Sequence, residues 1–292
     1  MKVFNLWQCF SGKPAGNSVS FQFNALRIIM EWVDTHAHVF VEEFAADLAE
    51  TMQRAQSAGV TRIFMPNLDA ASVDAMLETE AAFPGQAVPM LGLHPCHVKA
   101  GFRQELECLE AWLSRHRFAG IGEIGLDYHW DTTFAAEQLE VLRIQIGWAK
   151  SLGIPAILHT REATQACIDV IRELQDGNLK GIFHCFSGTL KEAEQILDLG
   201  FHLGIGGVVT FKNSGLAELV AAQPLQALVL ETDAPYLAPV PYRGKRNESS
   251  YIPLIAHKLA EIKQISLEEV SEETCRQAEY IFGRQFFKNT NL

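Results

Sequence analysis

The alternation of short apolar runs with amphipathic segments, from residue 31 onward, limits the fold of this chain more than any other feature. Eight apolar or β-branched runs predict strands at 32–38, 61–67, 87–94, 120–127, 156–160, 181–186, 202–208 and 227–232. Between them, apolar residues recur every three or four positions at 44–58, 105–116, 137–152, 164–174 and 190–199, which predicts helices. Eight strand–helix units in succession predict an α/β fold, the (β/α)8 or TIM barrel.

Glycines and flanking segments set the limits of the predicted domain. Gly59, Gly153 and Gly200 each follow a helical pattern and precede a strand, as expected at a helix C-terminus. Two more helical patterns, 250–262 and 267–282, follow the eighth strand. We therefore expect residues 30–292 to form one barrel domain. Residues 1–29 contain no acidic residue and end directly before a second methionine, so they are interpreted as an N-terminal extension of unknown role.

Polar residues cluster where the predicted strands end. They are His36, His38, His94, Glu123, His159, His184, Glu231 and Asp233. An open doubly wound sheet would show the same alternation of strands and helices. The strand count and these strand-end residues favour the barrel, because barrel enzymes gather their catalytic groups at the carboxyl ends of the strands.

The residue types at these positions suit a divalent metal ion. His36 and His38 are two residues apart, so on a strand both imidazoles point to the same side. Imidazole and carboxylate are ligands for zinc, manganese or iron. Taken singly, each histidine is more often a packed core residue, and Asp233 is more often a turn or cap residue. Taken together, four histidines and two acids at matching ends of five strands predict a metal site.

Composition restricts the partners and the compartment. The chain has 24 basic and 35 acidic residues, a net charge of −11, so its surface as a whole repels polyanions and any nucleic-acid role must rest on a local site. Its six cysteines form no CxxC pair, which favours a reduced, cytoplasmic location. No uninterrupted apolar run is long enough to span a membrane.

Five segments resemble the TatD family of deoxyribonucleases within the amidohydrolase-like metal-dependent hydrolases. They read Asp-Thr-His-Ala-His, Gly-Glu-Ile-Gly-Leu-Asp-Tyr, Pro-Ala-Ile-Leu-His-Thr-Arg-Glu-Ala, Phe-His-Cys-Phe-Ser-Gly and Glu-Thr-Asp-Ala-Pro-Tyr-Leu, in the family's order. The resemblance covers about residues 31–285. It implies two divalent metal ions, one held by His36, His38, Glu123 and Asp233 and the other by Glu123, His159 and His184. Glu123 would bridge the two ions.

Further site residues are predicted less directly. His94 is expected to bind a substrate phosphate oxygen, with a buried strand-end histidine as an equal alternative. Glu231 is expected to hold a water or an additional ion, or else to support the ligands by hydrogen bonding. Arg243 and Lys245 lie in the most basic loop, 241–247, and are expected to contact phosphate, with a solvated loop as the alternative.

Three more positions remain open from the sequence. Asp127 is interpreted equally as a site residue and as a strand-end anchor or N-cap. Arg161 is open between a site role and a surface position. The family usually has a proline where this chain has Ser249, which leaves the local shape of the basic loop undetermined.

The resemblance implies phosphodiester hydrolysis, with 3′-to-5′ removal of nucleotides from single-stranded DNA ends, as the expected activity. Asp233 would take a proton from the attacking water, and catalytic roles are also expected for Glu123, His94 and Glu231. Because a two-metal site also hydrolyses amides, esters and lactones, the alternative is an amidohydrolase or a deacylase acting on a small molecule or an aminoacyl-tRNA. A non-catalytic metal-binding protein is a third possibility. The ligands do not distinguish zinc, manganese, magnesium, iron and cobalt, and the chain is expected to be a monomer or weak oligomer.

Overall fold

The structure, a computed structural model, describes residues 30–287 as eight strands and nine α-helices. The predicted extension at residues 1–29 lies outside the described residues. The strands are β1 Trp32–Asp34, β2 Val60–Pro66, β3 Ala87–Met90, β4 Ile121–Asp127, β5 Ala156–Arg161, β6 Gly181–Phe183, β7 Phe201–Ile205 and β8 Leu228–Leu230. The helices are α1 Leu48–Ser57, α2 Val73–Ala82, α3 Phe102–Leu113, α4 Ala135–Leu152, α5 Thr164–Leu174, α6 Leu190–Asp198, α7 Leu216–Ala222, α8 Ile252–Lys263 and α9 Leu267–Phe282.

The strands follow one another in chain order and are all parallel. Strands β1 to β3 form one hydrogen-bonded group and β4 to β8 another. A parallel bridge between Leu91 and Ile121 joins β3 to β4, and a second between Ala37 and Ala234 joins the segments after β1 and β8. The eight strands are therefore linked in a ring, and the predicted α/β barrel fold is confirmed.

The barrel interior has an apolar end and a polar end. Val33, Ile157, Ile182 and Val229 pack together near the amino ends of their strands. Helix α9 covers this layer, and its Phe282 ring stacks on Phe64 with ring centroids 3.7 Å apart. Side chains two positions further along a strand point to the same side. Two positions beyond the apolar layer lie His159 on β5, His184 just after β6 and Glu231 just after β8.

Several elements differ in extent from the sequence-based predictions. The first predicted helix begins at Leu48 instead of residue 44, because Glu42–Phe44 forms a separate short 3-10 helix. Helices α2 and α7 were not identified from periodicity. The three glycines predicted to end helices have positive φ angles, which confirms that they occupy turns that other residues disfavour. Within residues 30–287, no helix combines the length and apolarity needed to cross a membrane.

Candidate metal centre

The strand-end residues converge at the polar end of the barrel. Glu123 lies in β4 and His159 in β5, both within the strands. The other members lie in the short segments just after β1, β3, β6 and β8: His36, His38, His94, His184, Glu231 and Asp233. The sequence therefore placed these groups at the correct end of each strand, although some strands are shorter than predicted.

Glu123 is the centre of this cluster. It is buried, and each of its carboxylate oxygens faces histidine nitrogens. Oε2 lies 3.2 Å from Nε2 of His36 and 3.3 Å from Nε2 of His38. Oε1 lies 3.4 Å from Nε2 of His94, 2.8 Å from Nδ1 of His159 and 2.7 Å from Nε2 of His184. One carboxylate thus joins five imidazoles that come from four other strand ends.

Asp233 completes one side of the cluster. Its Oδ1 lies 3.8 Å from Nε2 of His36 and 3.7 Å from Nε2 of His38. Its backbone N–H donates to the carbonyl oxygen of His36 at 2.9 Å, which ties the segment after β8 to the segment after β1. The His36, His38 and Asp233 ligand atoms are close enough to hold one ion.

The donor set fits divalent cations. A carboxylate accepts about four hydrogen bonds, yet Glu123 faces five rings, and the Nε2 atoms of His36 and His38 lie 3.3 Å apart. A cation between these atoms would bind the lone pairs of the carboxylate oxygens and imidazole nitrogens, which in the protein alone compete for too few protons. Two further groups of ligand atoms also meet the distance requirement for an ion: His36 with Glu123 and His184, and His94 with Glu123 and His159.

Charge coupling within the cluster agrees with this fit. Burial alone would raise the pKa of Glu123, but His184, His94 and His36 hold it well below its usual range. Burial alone would lower the pKa of His184, but the Glu123 carboxylate holds it well above its usual range. Burial raises the pKa of Asp233 to about 6. Negative charge on Glu123 and positive charge on His184 therefore stabilise each other in the protein alone, and a bound cation would stabilise the same carboxylate.

Hydrogen bonds behind the ligands fix the orientation of two rings. His38 Nδ1 lies 3.0 Å from the carbonyl oxygen of Pro66, which accepts its proton. His159 Nε2 lies 2.7 Å from Oδ2 of Asp127, so Nδ1 of this ring is the nitrogen that faces Glu123. Asp127, left open by the sequence, thus anchors a predicted ligand and the end of its own strand.

Glu231 lies beneath His184, in a space that Gly204 leaves open. Its Oε1 lies 3.5 Å from His184 Nδ1 and accepts a hydrogen bond from the Cys185 backbone N–H. A Cβ atom on Gly204 would stand 2.2 Å from Glu231 Oε2. Gly204 therefore contributes to the site by leaving room for the Glu231 carboxylate. In the sequence, the absence of a side chain at this position is the sole sign of that role.

The basic loop lies apart from the cluster. Arg243 is exposed and packs over the Phe211 ring at 4.5 Å, and Lys245 lies 6.0 Å from the Tyr242 ring. Within residues 30–287 no contact joins either cation to the clustered histidines and carboxylates. Asn247, which sequence reasoning missed, holds the loop by donating from Nδ2 to the carbonyl oxygens of Thr232 and Tyr236, both at 2.7 Å.

Comparisons with known proteins extend this description. A family model described as "TatD related DNase" matches residues 33–283. The uncharacterized metal-dependent hydrolase YabD of Bacillus subtilis (strain 168) is 36% identical over 252 residues, 85% of this chain and 98% of YabD. The 3′-5′ ssDNA/RNA exonuclease TatD of Yersinia pseudotuberculosis is 32% identical over 249 residues, 82% of this chain and 95% of that protein. The crystal structure of YJJV, a TatD homolog from Escherichia coli K12, aligns with a TM-score of 0.82 at 29% identity and covers 87% of this chain and 99% of YJJV.

Proposed function

Because the chain belongs to the TatD-related DNase family of metal-dependent hydrolases, we propose that it hydrolyses phosphodiester bonds and removes nucleotides from the 3′ ends of single-stranded DNA. The observation that carries this proposal is the Glu123 carboxylate, which faces five imidazoles at the polar end of the barrel with Asp233 beside it. A relative of 32% identity named as a 3′-5′ ssDNA/RNA exonuclease supports the choice of substrate.

The proposed ligands divide into two groups that share Glu123. His36, His38, Asp233 and Glu123 would hold one divalent ion. His159, His184 and Glu123 would hold the second, since both rings face Oε1 of Glu123. When bound, the ions supply Lewis acidity for the phosphate and lower the pKa of a water nucleophile. Zinc, manganese, magnesium, iron and cobalt all suit these ligand types.

Asp233 is the proposed general base. Its carboxylate stands at the edge of the cluster and its side chain is partly accessible, whereas Glu123 is enclosed by imidazoles. A carboxylate at this position can accept a proton from a water that enters the accessible side of the cluster. His94 has a side chain 12% exposed and only one contact to Glu123, at 3.4 Å, so we assign it to a phosphate oxygen. Glu231 positions His184 and the Cys185 backbone.

Arg243 and Lys245 are proposed to contact phosphates further along the strand. Both side chains are exposed, and Asn247 fixes their loop to the segment that carries Asp233. Loss of either cation should raise KM more than it lowers kcat, because neither contacts the clustered residues. The five cysteines in the described part of the chain are free, which supports the proposed cytoplasmic location.

The test is degradation of a single-stranded DNA oligonucleotide labelled at its 5′ end. Protein reconstituted with magnesium, manganese or zinc should shorten the labelled oligonucleotide stepwise from its 3′ end. Glu123→Ala should abolish this shortening. Asp233→Asn should lower kcat by about 10²- to 10⁴-fold with metal retained, while Asp74→Asn, an exposed change on α2, should leave it unchanged. An undiminished rate in Asp233→Asn would remove this residue as the base.

One observation favours an amidohydrolase or deacylase as the second candidate. Among the described residues, no arginine or lysine contacts the clustered ligands, so no positively charged side chain beside the cluster is placed to bind a phosphate. If metal-loaded protein leaves every oligonucleotide intact, a panel of lactones, amides and aminoacyl esters becomes the decisive assay for the same residues.

A further inference from the structure

Trp130 is an exposed aromatic side chain close to the metal centre. It lies in the loop between β4 and α4, and 69% of its surface is accessible. Tryptophan is usually well buried because its large ring gains most from leaving water. A ring held open at the mouth of the barrel therefore has apolar surface available for a ligand.

Asp127 connects this loop to the metal centre. Its Oδ1 accepts hydrogen bonds from the backbone N–H groups of His129 and Trp130, at 3.0 and 3.2 Å. Its Oδ2 contacts His159 Nε2 at 2.7 Å. The same carboxylate thus fixes a proposed metal ligand and the start of the loop, so the Trp130 backbone stands one side chain away from His159.

One cation lies over the tryptophan ring and a second is paired with the next residue of its loop, in a chain that is acidic overall. The Arg161 guanidinium lies 4.9 Å from the centre of the Trp130 ring. Arg161 ends β5 and lies two residues after His159, so both project to the same side of the strand. Lys99 Nζ lies 3.8 Å from Asp131, the residue after Trp130. An aromatic ring with adjacent cations is the combination with which proteins bind single-stranded nucleic acid.

A small cavity adjoins the ring and shows where a larger ligand must lie. It has a volume of about 70 Å³ and is lined by Cys96, Asp127, Trp130 and Phe134 among others. Pockets that enclose small-molecule ligands have volumes of roughly 300 Å³ or more, so this space does not enclose a base. A base at this position would therefore lie on the exposed ring.

We propose that Trp130 is a stacking platform for one base of the single-stranded substrate, which stacks on the exposed part of the ring that Arg161 does not cover, and that Arg161 contacts the backbone phosphate. This proposal rests on the proposed function. It explains how the proposed nuclease site would select an unpaired strand. Stacking needs only the face of a base, so the platform tolerates any sequence but requires that the base is not paired. Arg161, open between two interpretations in the sequence, then belongs to the substrate site.

The first test compares KM and kcat of Trp130→Ala with those of wild type. The substrates are an ordinary oligonucleotide and one whose 3′-terminal nucleotides are abasic. Trp130→Ala should raise KM roughly tenfold on the ordinary strand and leave it unchanged on the abasic strand, with kcat nearly constant. Trp130→Phe should retain most of the affinity.

Tyr280 provides the matched control. It is 61% exposed, and Lys180 Nζ lies 4.8 Å from the centre of its ring, but it belongs to α9 at the opposite end of the barrel. Tyr280→Ala should therefore leave both substrates unaffected. Equal KM changes in Tyr280→Ala and Trp130→Ala would overturn the platform.

A binding measurement separates this proposal from the proposed function. Titration of metal-free protein with a thymidine oligonucleotide should quench tryptophan fluorescence in wild type, and the quenching should be lost in Trp130→Phe. Quenching that depends on Trp130 without any hydrolysis would retain the platform and reject the nuclease. Hydrolysis with an unchanged KM in Trp130→Ala and undiminished quenching in Trp130→Phe would reject the platform alone. Absence of both hydrolysis and quenching in wild type would reject both.

Discussion

Replacement of Gly204 by alanine should displace the Glu231 carboxylate and perturb the site without breaking β7. The added Cβ would stand 2.2 Å from Glu231 Oε2 and 2.7 Å from its Cδ, and the nearest atoms it meets all belong to this one side chain. The carboxylate must therefore move away from His184 and the Cys185 backbone, which it now supports. Gly206 offers a matched control two residues along the chain, because its added Cβ would meet Glu231 at 3.8 Å or more.

The expected cost follows from the size of the clash. Insertion of one methyl into a packed site typically costs about 1–3 kcal/mol, whereas Gly206→Ala should change stability by no more than about 1 kcal/mol. If the clash with Glu231 is the cause, Gly204→Ala should cost much less in a Glu231→Ala background, with a coupling energy of about 1–2 kcal/mol. Urea unfolding of metal-free wild type, Gly204→Ala, Glu231→Ala and the double variant measures this coupling. An equal cost of Gly204→Ala in both backgrounds would refute the steric argument.

Two further substitutions test hydrogen bonds at the barrel mouth. Hydrogen bonds from Arg246 and Arg54 hold the pKa of Asp47 well below its usual range, so this carboxylate stabilises the fold above its ordinary pKa and the contribution is lost as the pH falls. Asp47→Asn should therefore lower the free energy of unfolding by up to about 1 kcal/mol at pH 7, and the difference from wild type should shrink below about pH 4; a constant difference in urea melts would contradict this. Asp127→Asn should place an N–H donor opposite His159 Nε2, move the ring proton to Nδ1, and weaken metal binding by about 10- to 100-fold. Isothermal titration with zinc would detect this loss, and an unchanged affinity would show that Asp127 does not set the tautomer.

The sequence predicted the order and type of the strands better than their ends, for a reason visible at β3. The predicted strand 87–94 stops at Met90 because side-chain amides take over its backbone hydrogen bonds. The Gly92 N–H donates to Oδ1 of Asn67, and the Leu93 N–H donates to Oε1 of Gln145, both at 2.7 Å. These amides come from distant parts of the chain, so no local pattern reveals them.

Side chains also replace a neighbouring strand as hydrogen-bond acceptors at the last residue of β4 and just after β8. The Asp127 N–H donates to Oε1 of Gln138, and the Thr232 N–H donates to Oδ1 of Asp34. Gln138 belongs to α4, where periodicity predicts a buried face but gives no reason for a buried amide. Such residues end the strands at the site and leave the next side chains free to turn toward its centre.

Strand-end position was the strongest signal for the candidate site, because parallel strands bring all their carboxyl ends to one rim. Residues in the longer loops give a weaker signal. The basic loop 241–247 lies close in sequence to Asp233, yet Arg243 packs on Phe211 and contacts none of the clustered ligands. The position of a residue at the end of a strand predicts that it lies at the rim of the barrel. The position of a residue in a loop does not predict where its side chain points.

What spacing cannot provide is the second hydrogen-bond partner of each histidine, and that partner decides which ring nitrogen faces the centre. His38 Nδ1 is bonded to the Pro66 carbonyl oxygen, so this ring presents Nε2 to Glu123. His159 Nε2 is bonded to Asp127, so this ring presents Nδ1. Two strand-end histidines that look equivalent in the sequence therefore depend on supports of different kinds. A backbone carbonyl cannot be removed by substitution, whereas Asp127 can, so His159 is the ligand whose tautomer a single side-chain change should switch.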